Sequence, residues 1–127
     1  MGQGEANLNI NIQKIEGFLL TAPQYVIHDE VAESFKDEVL EKIKKTGVKG
    51  LLIDLSAIDV VDSFLGRVIN EIATSSRLMG AQVVVTGLRP AVAITMVEMG
   101  LTFKNVEMAK NLDKGLLLLR KLMHGNE

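Results

Sequence analysis

Apolar residues recur along this chain with two different periods, and each change of period marks a new element. Near the N-terminus Leu8, Ile10 and Ile12 alternate with polar neighbours, the pattern of a strand with one face in water. Gly17 permits a turn into Phe18 to Thr21, so the two segments are expected to pair as a hairpin. Val31, Phe35, Val39 and Ile43 then recur every fourth residue and predict a helix with one buried stripe. Asp29 is its expected N-cap, and it runs to about Lys45. Gly47 stands where it should stop, after Lys44 and Lys45, whose charges favour a helix C-terminus.

Leu51 to Leu55 is a short aliphatic run suited to a strand buried on both faces. A second helix is expected to begin near Ser63 and end before Gly80, with Leu65, Val68, Ile69, Ile72 and Met79 on its inner face. Ala81 to Val85, with three consecutive valines, reads as the next buried strand. Pro90 suits the first position of a third helix that Gly100 closes. Asn105 to Met108 is the candidate last edge strand. Asn111 then caps a final helix carrying Leu112, Leu116, Leu119 and Met123. Strand–helix alternation after an opening hairpin predicts an α/β fold, a mixed, largely parallel sheet of about five strands with about four helices. At 127 residues there is room for one core, so 1–127 is expected to form one domain, with 8–122 structured and polar residues 1–7 flexible.

Composition narrows the function. With 47% hydrophobic and 24% charged residues, the chain can bury enough apolar surface to fold rather than stay disordered. The absence of cysteine rules out a disulfide scaffold, a cysteine zinc site and a cysteine nucleophile. A net charge of −2, with no Trp and one Tyr, offers neither the basic footprint nor the stacking platforms that nucleic acid needs. No apolar run reaches the roughly 18 residues of a membrane span. The opening MGQGEANLNINIQ is polar and acidic, unlike a signal peptide, and Ala6 breaks the myristoylation pattern that Gly2 would begin. The expectation is a cytoplasmic protein with no membrane partner.

In open α/β sheets, ligands and reactive groups gather beyond the carboxyl ends of the strands. Two segments reach that edge, residues 56–63 and residues 86–90. If their strands are neighbours, Ser63 and Thr86 share one rim. Ser63 at a helix start can serve as a cap for free N–H groups. Capping alone accounts for a serine there; the sharper reading is a phosphoryl acceptor, which would gain from the helix dipole and add roughly −1.5 to −2 charge beside Asp62. Phe64 either points outward as a contact residue or is buried under the preceding loop. Asp54, Asp59 and Asp62 form the densest acidic group, and magnesium sites use one or two such carboxylates. Asp54 lies in a strand, however, and no lysine-bearing glycine-rich loop accompanies it, so solvated acids are the simpler reading. His28 and His124 lack triad spacing, and neither G-x-S-x-G nor G-x-G-x-x-G occurs. No catalytic residue, metal or cofactor is therefore assigned, and no enzyme is expected. Met79, Met96, Met99 and Met123 fall in apolar helical stretches, where core filling is their ordinary role.

The stretch IDLSAIDVVDSFLGRVI, followed by LMGAQVVVTGLRPAVAITMVEMGL, resembles the STAS domain of anti-sigma-factor antagonists, and within that family the stressosome scaffold branch. D-S-F after an aliphatic strand and V-V-T-G-x-x-P-A-V-A-I-T leading into the third helix carry the likeness, which runs from the first strand to the last helix. It implies a sheet with helices on one main face, no enzymatic activity and Ser63 as the main phosphorylation site. Thr86 matches the second phosphorylated threonine of sensor paralogues and is the second candidate. Asp62, Phe64, Arg67 and Arg89 are the implied partner-binding residues. The implied partners are an RsbT-like serine kinase, held until Ser63 is phosphorylated and then released, and a cognate phosphatase. RsbR-like STAS sensor paralogues join further copies of the chain in a large self-associated complex. Simple antagonists carry D-S-S/T-G, whereas Phe64 and Leu65 follow Ser63 here. That departure favours the scaffold over the alternative, a stand-alone antagonist that binds an anti-sigma kinase directly.

Overall fold

A hairpin followed by three strand–helix crossovers builds a sheet in which sequence order is also spatial order. The computed structural model describes residues 11–24, 29–59, 61–100 and 103–125. Its elements are β1 (Ile12–Ile15), β2 (Phe18–Thr21), α1 (Asp29–Thr46), β3 (Gly50–Asp54), α2 (Ser63–Leu78), β4 (Gln82–Thr86), α3 (Pro90–Glu98), β5 (Glu107–Ala109) and α4 (Leu112–His124). The five strands lie in the order β1-β2-β3-β4-β5. β1 runs antiparallel to β2, and every later pair is parallel. This is the mixed, largely parallel α/β sheet that the alternation of periods predicts. Leu8, Ile10, His28 and residues 1–7 lie outside the described residues.

The register sorts strand side chains into two layers. Leu19, Leu51 and Val83 align across β2, β3 and β4, as do Ile53 and Val85 further along. They face the stripe Phe35, Val39 and Ile43 of α1, the stripe Leu65, Val68, Ile69 and Ile72 of α2, and Val92 and Met96 of α3. On the opposite face Phe18, Leu52 and Val84 are covered by Leu119 of α4, with Leu116, Leu118, Leu122 and Met123 around them.

α1, α2 and α3 hold the one main face expected, and the second layer adds α4 on the other. β3 and β4 are apolar on both sides, and each buried Leu, Val or Phe is worth about 1.5–3 kcal/mol over the exposed state. α4 closes the side that α1, α2 and α3 leave open. Two smaller expectations are amended. Met79 is 41% exposed rather than inward, because it is the C-cap of α2 and the apolar stripe has already ended. Leu112 is 37% exposed at the first position of α4, and the buried stripe of that helix begins one turn later, at Gly115.

Candidate functional site

Because β3 and β4 are neighbours, the segments that leave their carboxyl ends lie along one rim. The backbone joins them directly, with Leu55 N donating to Thr86 O at 2.8 Å. The β3–α2 loop then makes a turn, Ile58 N donating to Leu55 O at 3.0 Å. Leu55, Ile58 and Val61 anchor it in the core, while Ser56 and Asp59 stay at the surface.

The helix start differs from the sequence expectation in one respect that matters. Asp62, not Ser63, is the N-cap of α2: its backbone is extended and its side chain accepts from Leu65 N at 2.8 Å. Asp and Ser are about equally good caps, so adjacency in sequence leaves the choice open, and the backbone turn at Asp62 decides it. Ser63 becomes the first helical residue, exposed, with no hydrogen bond from its hydroxyl among the described residues. The two roles are separable by stability. Asp62→Ala should cost about 1 kcal/mol in urea unfolding, within the usual cap range of 0.5–2. Ser63→Ala should cost no more than a few tenths, as at an uncommitted surface position, within about 0.5 kcal/mol of zero. Equal losses would return the capping role to Ser63.

Behind the loop, Asp54 at the end of β3 gathers three donors. Ser56 N lies 3.3 Å from Oδ1, Ser56 Oγ donates to Oδ2 at 3.0 Å, and Thr86 Oγ1 donates to Oδ1 at 3.1 Å. Thr86 faces Asp54 across the sheet register and is 0% exposed, so it shares the rim with Ser63 but lies beneath its surface. Arg89, the N-cap residue of α3, ties the second loop to the first. It forms an ion pair with Asp59 at 2.9 Å and donates to Ser56 O at 3.2 and 3.4 Å. Arg67 lies over the Phe64 ring at 5.8 Å, and Phe64 is half-buried, packed partly against the core. Phe64 is thus neither fully outward nor fully covered, with one part against the core and one part in solvent.

The three acids do not converge. Asp54 is occupied by Ser56 and Thr86, Asp59 by Arg89 and Asp62 by the start of α2. Among the described residues no group of three or more His, Asp or Glu is arranged to hold a metal ion. A cleft of about 470 Å³ opens beside the rim between Asp54, Gly87, Arg89, Lys110 and Leu112. His124 stands exposed in the last turn of α4. No helix among the described residues is long and apolar enough to cross a membrane. Sequence reasoning missed Ser56 and the Asp54–Thr86 pair; the signal was a polar residue at the matching end of each of two buried strands.

The family model for the STAS domain matches residues 9–115. The chain belongs to the STAS domain family. Within it, the chain is similar to RsbS: it is 40% identical to a serine-to-glutamate variant of RsbS from Moorella thermoacetica, covering 91% of this chain and 98% of that one, with a TM-score of 0.80. A chain in the structure of the stressosome, described as a signal integration and transduction hub, is 39% identical, with coverages of 91% and 100% and a TM-score of 0.72. The RsbT co-antagonist protein RsbRD of Bacillus subtilis is 32% identical over 85 residues, which is 67% of this chain and 31% of that protein. The chain therefore spans less than a third of that curated relative.

Proposed function

We propose that this chain is an RsbS-like, non-enzymatic scaffold subunit of a stressosome, acting in the cytoplasm as one element of a partner-switching pathway. In its unphosphorylated form it holds an RsbT-like serine kinase. Phosphorylation of Ser63 releases that kinase, and a cognate phosphatase resets the site. The observation that carries this reading is the exposed, uncommitted hydroxyl of Ser63 at the first position of α2, with the capping role taken by Asp62.

The chemistry follows from that placement. A phosphoryl group on Ser63 would bring about −2 charge to a rim that already holds Asp59 and Asp62. Arg67 lies one turn along the same helix, where a group at Ser63 can reach it, and Arg89 is already engaged by Asp59. A partner seated on Asp62, Phe64, Arg67 and Arg89 would meet an acidic surface in place of a mixed one, and the contacts fitted to the unmodified rim would weaken. The fold need not change. Thr86, buried and donating to Asp54, becomes an acceptor only when the rim opens, which favours Ser63 as the main site.

The test is phosphate incorporation from ATP by the RsbT-like kinase, followed by peptide mass spectrometry. Wild-type protein should be labelled once, at Ser63, and Ser63→Ala should lose all labelling. Full labelling of Ser63→Ala at another residue would overturn the assignment. Mixed with an RsbR-like paralogue, the protein should elute as a very large particle; a persistent monomer or dimer that instead binds an anti-sigma kinase would mark the stand-alone antagonist.

A further inference from the structure

Thr86 ends β4 with a side chain that has two chemically different arms, and each arm reaches a different element. The hydroxyl donates to Asp54 Oδ1 at 3.1 Å, across 32 residues of sequence. The same carboxylate takes the N–H and the hydroxyl of Ser56, so Thr86 holds in place the group that holds the start of the β3–α2 loop. The methyl points the other way, onto α4. Gly115 has no Cβ, and a Cβ built there would collide with Thr86 Cγ2. The first turn of α4 therefore rests on the Thr86 methyl, while the loop that leads to Ser63 hangs from its hydroxyl.

We propose that Thr86 is a positioning residue for Ser63: its hydroxyl holds the β3–α2 loop through Asp54, so that the loop presents Ser63 to its kinase in one conformation, while its methyl separately seats α4. This rests on Ser63 being the acceptor, as proposed above. Full burial suits the role, since a hydroxyl hidden from water has Asp54 as a fixed partner in place of exchanging solvent. A loop freed from this hold would sample other conformations, and the kinase would meet the competent one only part of the time. Such a loss appears as weaker apparent binding, with the chemistry at Ser63 itself unchanged.

Two substitutions cut one arm each. Thr86→Val keeps a methyl against Gly115 and removes the donor to Asp54. Thr86→Ser keeps the donor and removes the methyl. Amide hydrogen exchange on the full chain, normalised to the amides of β3 and β4, reads both arms. In Thr86→Val the amides of Ser56 and Ile58 should exchange roughly tenfold faster, with Lys114 and Gly115 unchanged. Thr86→Ser should give the reverse pattern. With the RsbT-like kinase and ATP, Thr86→Val should raise the KM for Ser63 phosphorylation severalfold at near-constant kcat, and Thr86→Ser should restore the wild-type KM. Unchanged exchange at Ser56 and Ile58 in Thr86→Val, or equal loosening of both elements by either variant, would overturn the positioning role. A wild-type protein that is not labelled at Ser63 would overturn the functional reading alone, because the exchange experiment does not involve the kinase.

Discussion

Gly87→Ala is expected to lower the stability of the protein by about 2–5 kcal/mol, out of the 5–15 typical of a domain. Two costs combine there. Gly87 has φ +76, a left-handed conformation that a residue with a Cβ adopts at a cost of about 1–2 kcal/mol. The added Cβ would also stand 2.5 Å from Asp54 Oδ1 and 2.9 Å from Ser56 N, both held by the hydrogen bonds of the rim. Neither atom belongs to a flexible side-chain end that can swing aside, so the overpacking adds about 1–3 kcal/mol. Gly47 supplies the control. It has φ +67 and nothing within 4 Å of a built Cβ, so Gly47→Ala should show the conformational cost alone. Thermal unfolding should place Gly87→Ala on the order of 10 °C below wild type, with Gly47→Ala well above it. Equal midpoints would mean that the rim yields easily, and the close approach at Gly87 would then carry no weight.

The second large effect is expected at Gly115. Helix propensity argues for replacing it, since glycine inside a helix is disfavoured by about 1 kcal/mol against alanine and by less against valine. Contact argues the other way. A Cβ at 115 would collide with Thr86 Cγ2 and come 3.2 Å from Leu52 Cδ1, and valine adds two further carbons. To accept it, α4 must lift from the sheet and loosen Leu119 over Phe18, Leu52 and Val84. Overpacking of about 1–3 kcal/mol exceeds a propensity gain of a few tenths, so Gly115→Val should destabilise by about 2 kcal/mol. Urea unfolding checks the sign, and faster exchange confined to α4 would locate the damage. A stabilised variant would show that the helix shifts without loss.

Gly47 and Gly115 mark where sequence reading stops. Gly47, at the end of a periodic apolar run, announces itself as a helix stop, and its φ of +67 agrees. Nothing in the sequence distinguishes Gly115 from a poor choice in the middle of a helix. Its reason lies in Thr86, on another element. Asp54 and Thr86 have the same character: each reads only as a polar residue near the end of a buried aliphatic run, and only the register of β3 against β4 sets them face to face. Arg89 and Asp59 become a pair because two loops share a rim, a fact about neighbours in space.

By itself the sequence determined what depends on near neighbours along the chain. The four-residue period of Val31, Phe35, Val39 and Ile43 made α1, Pro90 opened α3, and Asn111 capped α4 by accepting from Lys114 N at 3.0 Å. Alternating strands and helices made the sheet parallel beyond its hairpin, and Asp62-Ser63 was placed at a helix start. Tertiary structure decided the rest. It put α4 on the second face of the sheet, because β3 and β4 are apolar on both sides and one face remained open. It also divided the work at the helix start, giving the cap to Asp62 and leaving the Ser63 hydroxyl in solvent. Local periodicity and capping preferences act over three or four residues and are written in the chain. Which hydroxyl is buried, and which carboxylate it finds, depends on contacts between segments tens of residues apart, and these exist only once the sheet has formed.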